Sequence, residues 1–178
     1  MVKRNYAPGM HGQKGNSRLS PFGQQLRQKQ IAVKSYRLLE SQFANYYAKA
    51  KQMAGDTGEN LITLLEKRLD NVVYRLQIAK SRDAARQIIN HGHIMVNGKK
   101  VDIASFQVRN GDQIQVAPKY LETKSIQESL KKINAKDIPS WLTFVDQKIA
   151  QAKVTGQPAS ADIQKAIDAA MIVEYYSR

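Results

Sequence analysis

The stretch that decides the fold is Ser81-Arg82-Asp83-Ala84-Ala85-Arg86-Gln87-Ile88-Ile89-Asn90-His91-Gly92-His93-Ile94-Met95-Val96-Asn97-Gly98-Lys99-Lys100-Val101. Ser81 is a good N-cap. Ala84, Ala85, Ile88 and Ile89 then fall on one side of a short helix, and Gly92 stands where a left-handed terminator belongs. Ile94 to Val96, the pair Asn97-Gly98, and Lys99 to Val101 form a hairpin signal, because Asn-Gly supplies the two positive φ angles of a type I′ turn. A second turn at Asn110-Gly111 leads into Ile114 and Val116, which alternate with Gln113 and Gln115 as in a half-buried strand.

Upstream, Ser20-Pro21 reads as an N-cap with proline at the first helical position. Leu26, Val33, Tyr36, Leu39, Phe43 and Tyr47 continue at mostly helical spacing, which predicts one long amphipathic helix to about Ala54. Gly55 breaks it, and Asp56 and Glu59 have capping-box spacing. Leu61, Leu65, Leu69, Val72 and Leu76 then predict a single second helix ending before Lys80. Tyr36, Phe43 and Tyr47 lie on the apolar stripe and are expected to pack in the core rather than stack on bases. The module around the opening stretch therefore reads α-α-β-β-β. After Tyr120, Ile126, Leu130 and Ile133 suggest one more helix, Pro139, Gly156 and Pro158 punctuate the tail, and Ile172, Val173 and Tyr175 predict a closing strand.

The chain has 178 residues, 28 Lys and Arg against 15 Asp and Glu, and a formal charge of +13, so its field recruits a polyanion. The excess is uneven: residues 1–60 hold 10 basic and 3 acidic side chains, 61–120 hold 10 and 5, and 121–178 hold 8 and 7. The partner is therefore expected on the first two thirds. Residues 1–19 combine Pro8, Gly9, Gly12 and Gly15 with Lys3, Arg4, Lys14 and Arg18, the composition of an extended arm that orders on phosphate, with a simply disordered tail as the alternative. Without cysteine there is no disulfide, thiol nucleophile or Cys-ligated zinc. The opening residues do not read as a signal peptide, and no apolar run approaches the roughly 20 residues of a membrane span. A soluble cytoplasmic protein is the expectation.

Arg82 and Arg86 lie one turn apart and predict two guanidinium forks able to hold phosphates, followed at once by His91, His93, Asn97, Lys99 and Lys100 on the hairpin. Together they suggest a concave basic surface for folded RNA. The alternative is a solvated charged face. His91 and His93 flank a glycine turn and do not point together, so an RNA contact or a hydrogen-bonded ring is preferred to a metal site. Arg68-Leu69-Asp70 resembles the Arg-Leu-Asp of pseudouridine synthases, but it stands on an apolar helix before the basic module. A helix-end pairing is the better reading of Asp70. No nucleophile, base and orienter cluster is evident, so no catalysis and no cofactor are expected.

The run Ser81-Arg82, Ala85-Arg86-Gln87, His91-Gly92-His93-Ile94, Val96-Asn97-Gly98 resembles the small RNA-binding module named after ribosomal small-subunit protein four. Its flanks resemble the bacterial small-subunit ribosomal protein four family (universal family uS-four): Asn5-Tyr6-Ala7-Pro8-Gly9-Met10-His11-Gly12, Leu26-Arg27 with Lys29-Gln30, Thr57-Gly58-Glu59-Asn60-Leu61, Arg68 to Leu76, and Ile172 to Arg178. The resemblance implies a binder of 16S rRNA that nucleates small-subunit assembly and affects decoding accuracy through ribosomal protein five. It further implies a monomer within the ribosome, with messenger RNA near its entry path as another candidate partner. It adds Asn5, Tyr6, His11, Arg27, Lys29, Thr57, Gly58, Arg68, Arg75, Ser81 and Gln87 to the expected RNA-binding residues. It implies an α+β fold, with an N-terminal all-helical domain and the α-α-β-β-β module on a mainly antiparallel sheet. The division is an arm over 1–19, a helical domain over 20–67, the RNA-binding domain over 68–130, and a C-terminal segment over 131–178 whose helix and closing strand pack on the other two.

Two departures carry expectations. Family members usually have an upstream segment, often with zinc-binding cysteines, and such a metal site is not expected here. Ile31, Ala32 and Val33 stand where the family tends to be basic. A free RNA chaperone or translational repressor built on the same module is the alternative, and sedimentation with small subunits separates the two.

Overall fold

A computed structural model describes residues 9, 10, 12, 19–134, 137–146, 149–158 and 167–177. The described elements are α1 (Pro21–Ser35), α2 (Glu40–Gln52), α3 (Thr57–Glu66), α4 (Leu69–Arg75), α5 (Arg82–Asn90), β1 (Ile94–Val96), β2 (Lys99–Lys100), β3 (Gln113–Val116), α6 (Lys124–Leu130), β4 (Leu142–Asp146), β5 (Gln151–Val154) and α7 (Ala169–Tyr176).

The opening stretch folds as its residues dictate. Ser81 caps α5 by accepting the Ala84 N–H at 3.1 Å. Gly92 ends the helix at φ +72°, with its N–H on the Ile89 carbonyl and that of His93 on the Ile88 carbonyl, which is the Schellman pattern. Asn97 and Gly98 take φ values of 51° and 76°, and the hairpin pairs Val96 with Lys99. β1 and β3 pair antiparallel as well, with Ile94 opposite Val116.

The predicted long helix from Ser20 to Ala54 is instead two. Tyr36 closes α1, Arg37 turns left-handed at φ 55°, and the Arg37 and Leu38 N–H groups donate to the Lys34 and Val33 carbonyls. This is again a Schellman stop, but with arginine where glycine usually signals it. The predicted helix from Leu61 to Leu76 is likewise broken, at Lys67 and Arg68, where Arg68 is extended (ψ 137°). Backbone from a distant loop satisfies the groups released there: Leu69 donates to Phe106 and Asp70 to Ala104, while Val108 donates to the Lys67 carbonyl.

Two features of the tail differ from expectation. Residues 172–175 are helical rather than a closing strand. Asp168 caps α7 by accepting from the Met171 N–H, Ile172 is fully buried, and the Tyr176 ring stacks on Tyr47 at 4.5 Å. Packing against α1 and α3 overrides the strand preference of Ile, Val and Tyr. The sheet is instead completed by β4 and β5, two strands beyond those the sequence pattern predicts. Its order is β2-β1-β3-β5-β4, with β5 joined to β3 through Ile114 opposite Ala152.

Two apolar cores result. One gathers Ala32, Tyr36, Phe43, Tyr47, Leu61, Leu65 and Ile172 from α1, α2, α3 and α7. The other packs Leu69, Val72, Leu76, Ala85 and Ile89 of α4 and α5 on Ile94, Ile114, Val116, Ala152 and Val154 of the sheet. The architecture is α+β, and the aromatic stripe of α1 and α2 is buried as expected. The segment after residue 130 serves both cores, since β4 and β5 extend the sheet lobe while α7 closes the helical one.

Candidate RNA-binding face

Between the two cores runs a polar seam built by the ends of α1, α3, α4 and α5. At its centre Asp70, 2% exposed, accepts from Arg68 Nε and Nη2 at 3.0 and 2.7 Å and from Arg86 Nε and Nη2 at 3.2 and 2.8 Å. It also accepts from the Asn71 N–H at 2.9 Å. Arg86 Nη1 donates to the Arg37 carbonyl at 3.0 Å, and Arg68 Nη1 donates to the Tyr46 hydroxyl at 2.7 Å, so the cluster spans both lobes.

Glu66 organises the other half. Its carboxylate accepts from the Tyr36 hydroxyl, from Asn71 Nδ2, and from Arg75 Nε and Nη2, at 2.7, 2.7, 3.1 and 2.7 Å. Among the described residues Arg82 has no carboxylate of its own. Its Nε donates to Asn71 Oδ1 at 2.8 Å, and its guanidinium lies 4.9 Å from the Tyr36 ring centre and 4.6 Å from that of Tyr74.

These environments move the titrations in opposite directions. Burial pushes the Arg82 guanidinium below its ordinary value, and Arg75 beside it adds repulsion. Burial acts the same way on Arg68, but the hydrogen bonds and charge of Asp70 outweigh it and the net shift is upward. Burial, followed by the Glu66 charge, holds the Tyr36 phenol well above its usual value. The seam thus gathers four guanidinium groups around two carboxylates, three of them paired and Arg82 not, and a net positive charge remains.

Arg82 and Arg86 were expected as free forks projecting from α5; both are instead engaged within the protein. The same holds for Arg68 and Arg75. Lys29 is buried on α1, paired to Glu40 at 2.8 Å and 4.9 Å from the Tyr175 ring centre. Asn97 braces the hairpin, donating through Nδ2 to Asp112 and accepting the Gln113 N–H on Oδ1. Ser81 is a cap. Thr57 opens α3, and Gly58 is buried where a Cβ would come within 3.1 Å of the Ala169 side chain, so its place is set by helix packing.

What stays exposed with no side-chain hydrogen bond or ion pair among the described residues is a smaller set. Arg27, Gln87, His91, Lys99 and Lys100 face solvent. The Lys100 side chain lies across Gly92, where any Cβ would collide with it. His93 is half-buried, with its ring stacked on Tyr120 at 3.6 Å and 9° and 5.6 Å from His91. Lys3, Arg4, Asn5, Tyr6, His11, Lys14 and Arg18 lie outside the described residues.

Sequence reasoning missed a cleft of 690 Å³ between α2 and the 103–107 loop, lined by Asn45, Tyr46, Lys49, Arg86, Asn90 and Ile103 among others. The only sequence signal for it is the spacing of Asn45 and Lys49 on one face of α2. Lys49 at the cleft rim and Lys99 and Lys100 on the hairpin are exposed, while Arg86, which also lines the cleft, is part-buried and paired to Asp70.

The chain matches two family models: "Ribosomal protein S4/S9 N-terminal domain" over residues 1–66 and "S4 domain" over residues 67–114. The junction coincides with the break between α3 and α4. "Small ribosomal subunit protein uS4A" of Clostridium novyi (strain NT) is 49% identical over 177 residues, 99% of this chain and 84% of that protein. "Small ribosomal subunit protein uS4" of Geotalea daltonii is 47% identical over 176 residues, again 99% of this chain and 84% of the relative. That of Clostridioides difficile (strain 630) is 47% identical over 178 residues, 100% of this chain and 84% of the relative. With nearly half its residues shared along almost its whole length, the chain belongs to the family of small ribosomal subunit protein uS4.

Proposed function

We propose that the chain is a structural constituent of the small ribosomal subunit that binds 16S rRNA directly and early, so that its docking helps nucleate assembly. The observation that carries this reading is the set of exposed lysines Lys49, Lys99 and Lys100, with Arg86 partly exposed at the cleft, mounted on elements that the seam and the Asn97 turn hold rigid. Phosphate neutralisation with counterion release supplies affinity, and the fixed spacing of the cations selects a folded RNA shape over an arbitrary strand. The names of the relatives support the subunit assignment. Contact with ribosomal protein five, a share in decoding accuracy, and proximity to messenger RNA belong to the same reading. Arg27, Lys49, Gln87, His91, Lys99 and Lys100 are its direct RNA contacts, and the arm residues Lys3, Arg4, Asn5, Tyr6, His11, Lys14 and Arg18 extend the footprint.

The test is sedimentation combined with competition. The chain is expected to travel with small subunits and to bind 16S rRNA in preference to an equal mass of unrelated messenger RNA at physiological salt. Recovery in the free fraction, with equal affinity for both RNAs, supports a free chaperone or repressor and overturns the ribosomal role.

A further inference from the structure

Resting on that RNA-binding reading, we infer that the cleft between α2 and the 103–107 loop receives one unstacked nucleotide of the bound RNA, with its phosphate beside Lys49 and Arg86 and its base against Tyr46 and Ile103. The 690 Å³ volume lies within the range of small-ligand sites and accommodates a nucleotide. Its charge calls for an anion: Asp70 alone answers both Arg68 and Arg86, and Lys49 at the rim has no carboxylate partner among the described residues.

Its walls call for a base. Ile103 is 60% exposed yet faces a concave site, which is the environment of an apolar side chain awaiting a flat partner. Tyr46 presents a ring that cannot swing, because its hydroxyl is held by Arg68, itself locked on Asp70. Among the described residues the amides of Asn45 and Asn90 have no hydrogen-bond partner. Each offers a donor and an acceptor, as the edge of an unpaired base requires. An acidic peptide would satisfy the cations but leave the exposed isoleucine and both amides without a counterpart.

The experiment binds the full chain to 16S rRNA, crosslinks it by ultraviolet light through the native bases, digests the RNA and locates nucleotide adducts by peptide mass spectrometry. Adducts are expected at Tyr46 and within 103–107. Ile103→Ala, on an exposed loop, is expected to lose them and to weaken binding about fivefold with an unchanged log affinity against log salt slope. Lys49→Ala is expected to lower that slope by about one. Normal RNA binding by the wild-type chain, with no adduct in the cleft and with Ile103→Ala at full affinity, overturns this inference and leaves the RNA-binding reading intact. Failure of the wild-type chain to bind 16S rRNA overturns both.

Discussion

The seam and the hairpin are equally cationic on paper, yet they put their charges to opposite uses. At the seam Arg68, Arg75, Arg82 and Arg86 are wholly or partly buried, and every guanidinium is directed at a carboxylate, an amide oxygen or a tyrosine face of the protein itself. On the hairpin Lys99 and Lys100 are exposed, with no acidic partner among the described residues. The chemistry of the two side chains explains the division. A guanidinium is weakly hydrated and forked, so it tolerates burial against carboxylates and rings, whereas an ammonium is strongly hydrated and stays in water. The seam fixes how the lobes sit, with Arg86 still partly open at the cleft, and the hairpin lysines are left wholly to a polyanion.

The comparison breaks most directly at Asp70. Asp70→Ala strands the buried Arg68 charge and releases Arg86, so urea unfolding should show a loss of about 3–5 kcal/mol. A change below about 1 kcal/mol would mean that the seam does not hold the lobes. Arg82→Ala comes next. It removes one hydrogen bond to Asn71 and two ring contacts, with an expected loss of about 2 kcal/mol. Because this guanidinium is engaged inside the protein, the salt slope of RNA binding should stay at its wild-type value even where affinity falls. A slope reduced by one would return Arg82 to the phosphate contacts.

How much of this was legible in the sequence follows the range of the interactions involved. α5, its Gly92 stop and the Asn97-Gly98 hairpin were read correctly because cap, terminator and turn all lie within a few residues of the element they define. The breaks in the two long helices were not. One uses Arg37 in a left-handed conformation that glycine would have advertised, and the other depends on carbonyls of Ala104 and Phe106 more than thirty residues away. β5 exists as a strand through pairing with β3 and β4 through pairing with β5, and α7 is a helix because Ile172 and Tyr176 fill the helical core. The engagement of the arginines was half visible. Glu66 and Asp70 sit among Leu65, Leu69, Val72 and Val73 on an otherwise apolar stripe, and an acid buried there requires a cation. Which arginines answer it is set by the lobe contact, to which no local pattern points.

The hairpin half of the comparison is sharpened by Lys99→Ala with Lys100→Ala. Both side chains are exposed, so stability should move by less than about 0.5 kcal/mol, while the log affinity against log salt slope for 16S rRNA should fall by about two. An unchanged slope would remove the hairpin from the interface.

The smallest effect belongs to His93, stacked on Tyr120. Burial lowers its pKa first, and the facing charges of His91 and Lys100 add to the shift. A histidine whose folded pKa lies below its unfolded value of about 6.5 binds a proton more readily when unfolded. Its contribution is therefore complete above that pH and declines as the pH falls through the window between the two values. Denaturant midpoints measured from pH 7.5 to pH 5 should decline less in His93→Phe, which keeps the stack on Tyr120 and cannot titrate. Equal decline in the two proteins would assign the acid sensitivity to other groups, though not to Glu40. Burial raises the Glu40 pKa, but hydrogen bonds from Lys29 and Tyr176 outweigh this and hold the carboxyl below the ordinary range, so its share is lost only at lower pH.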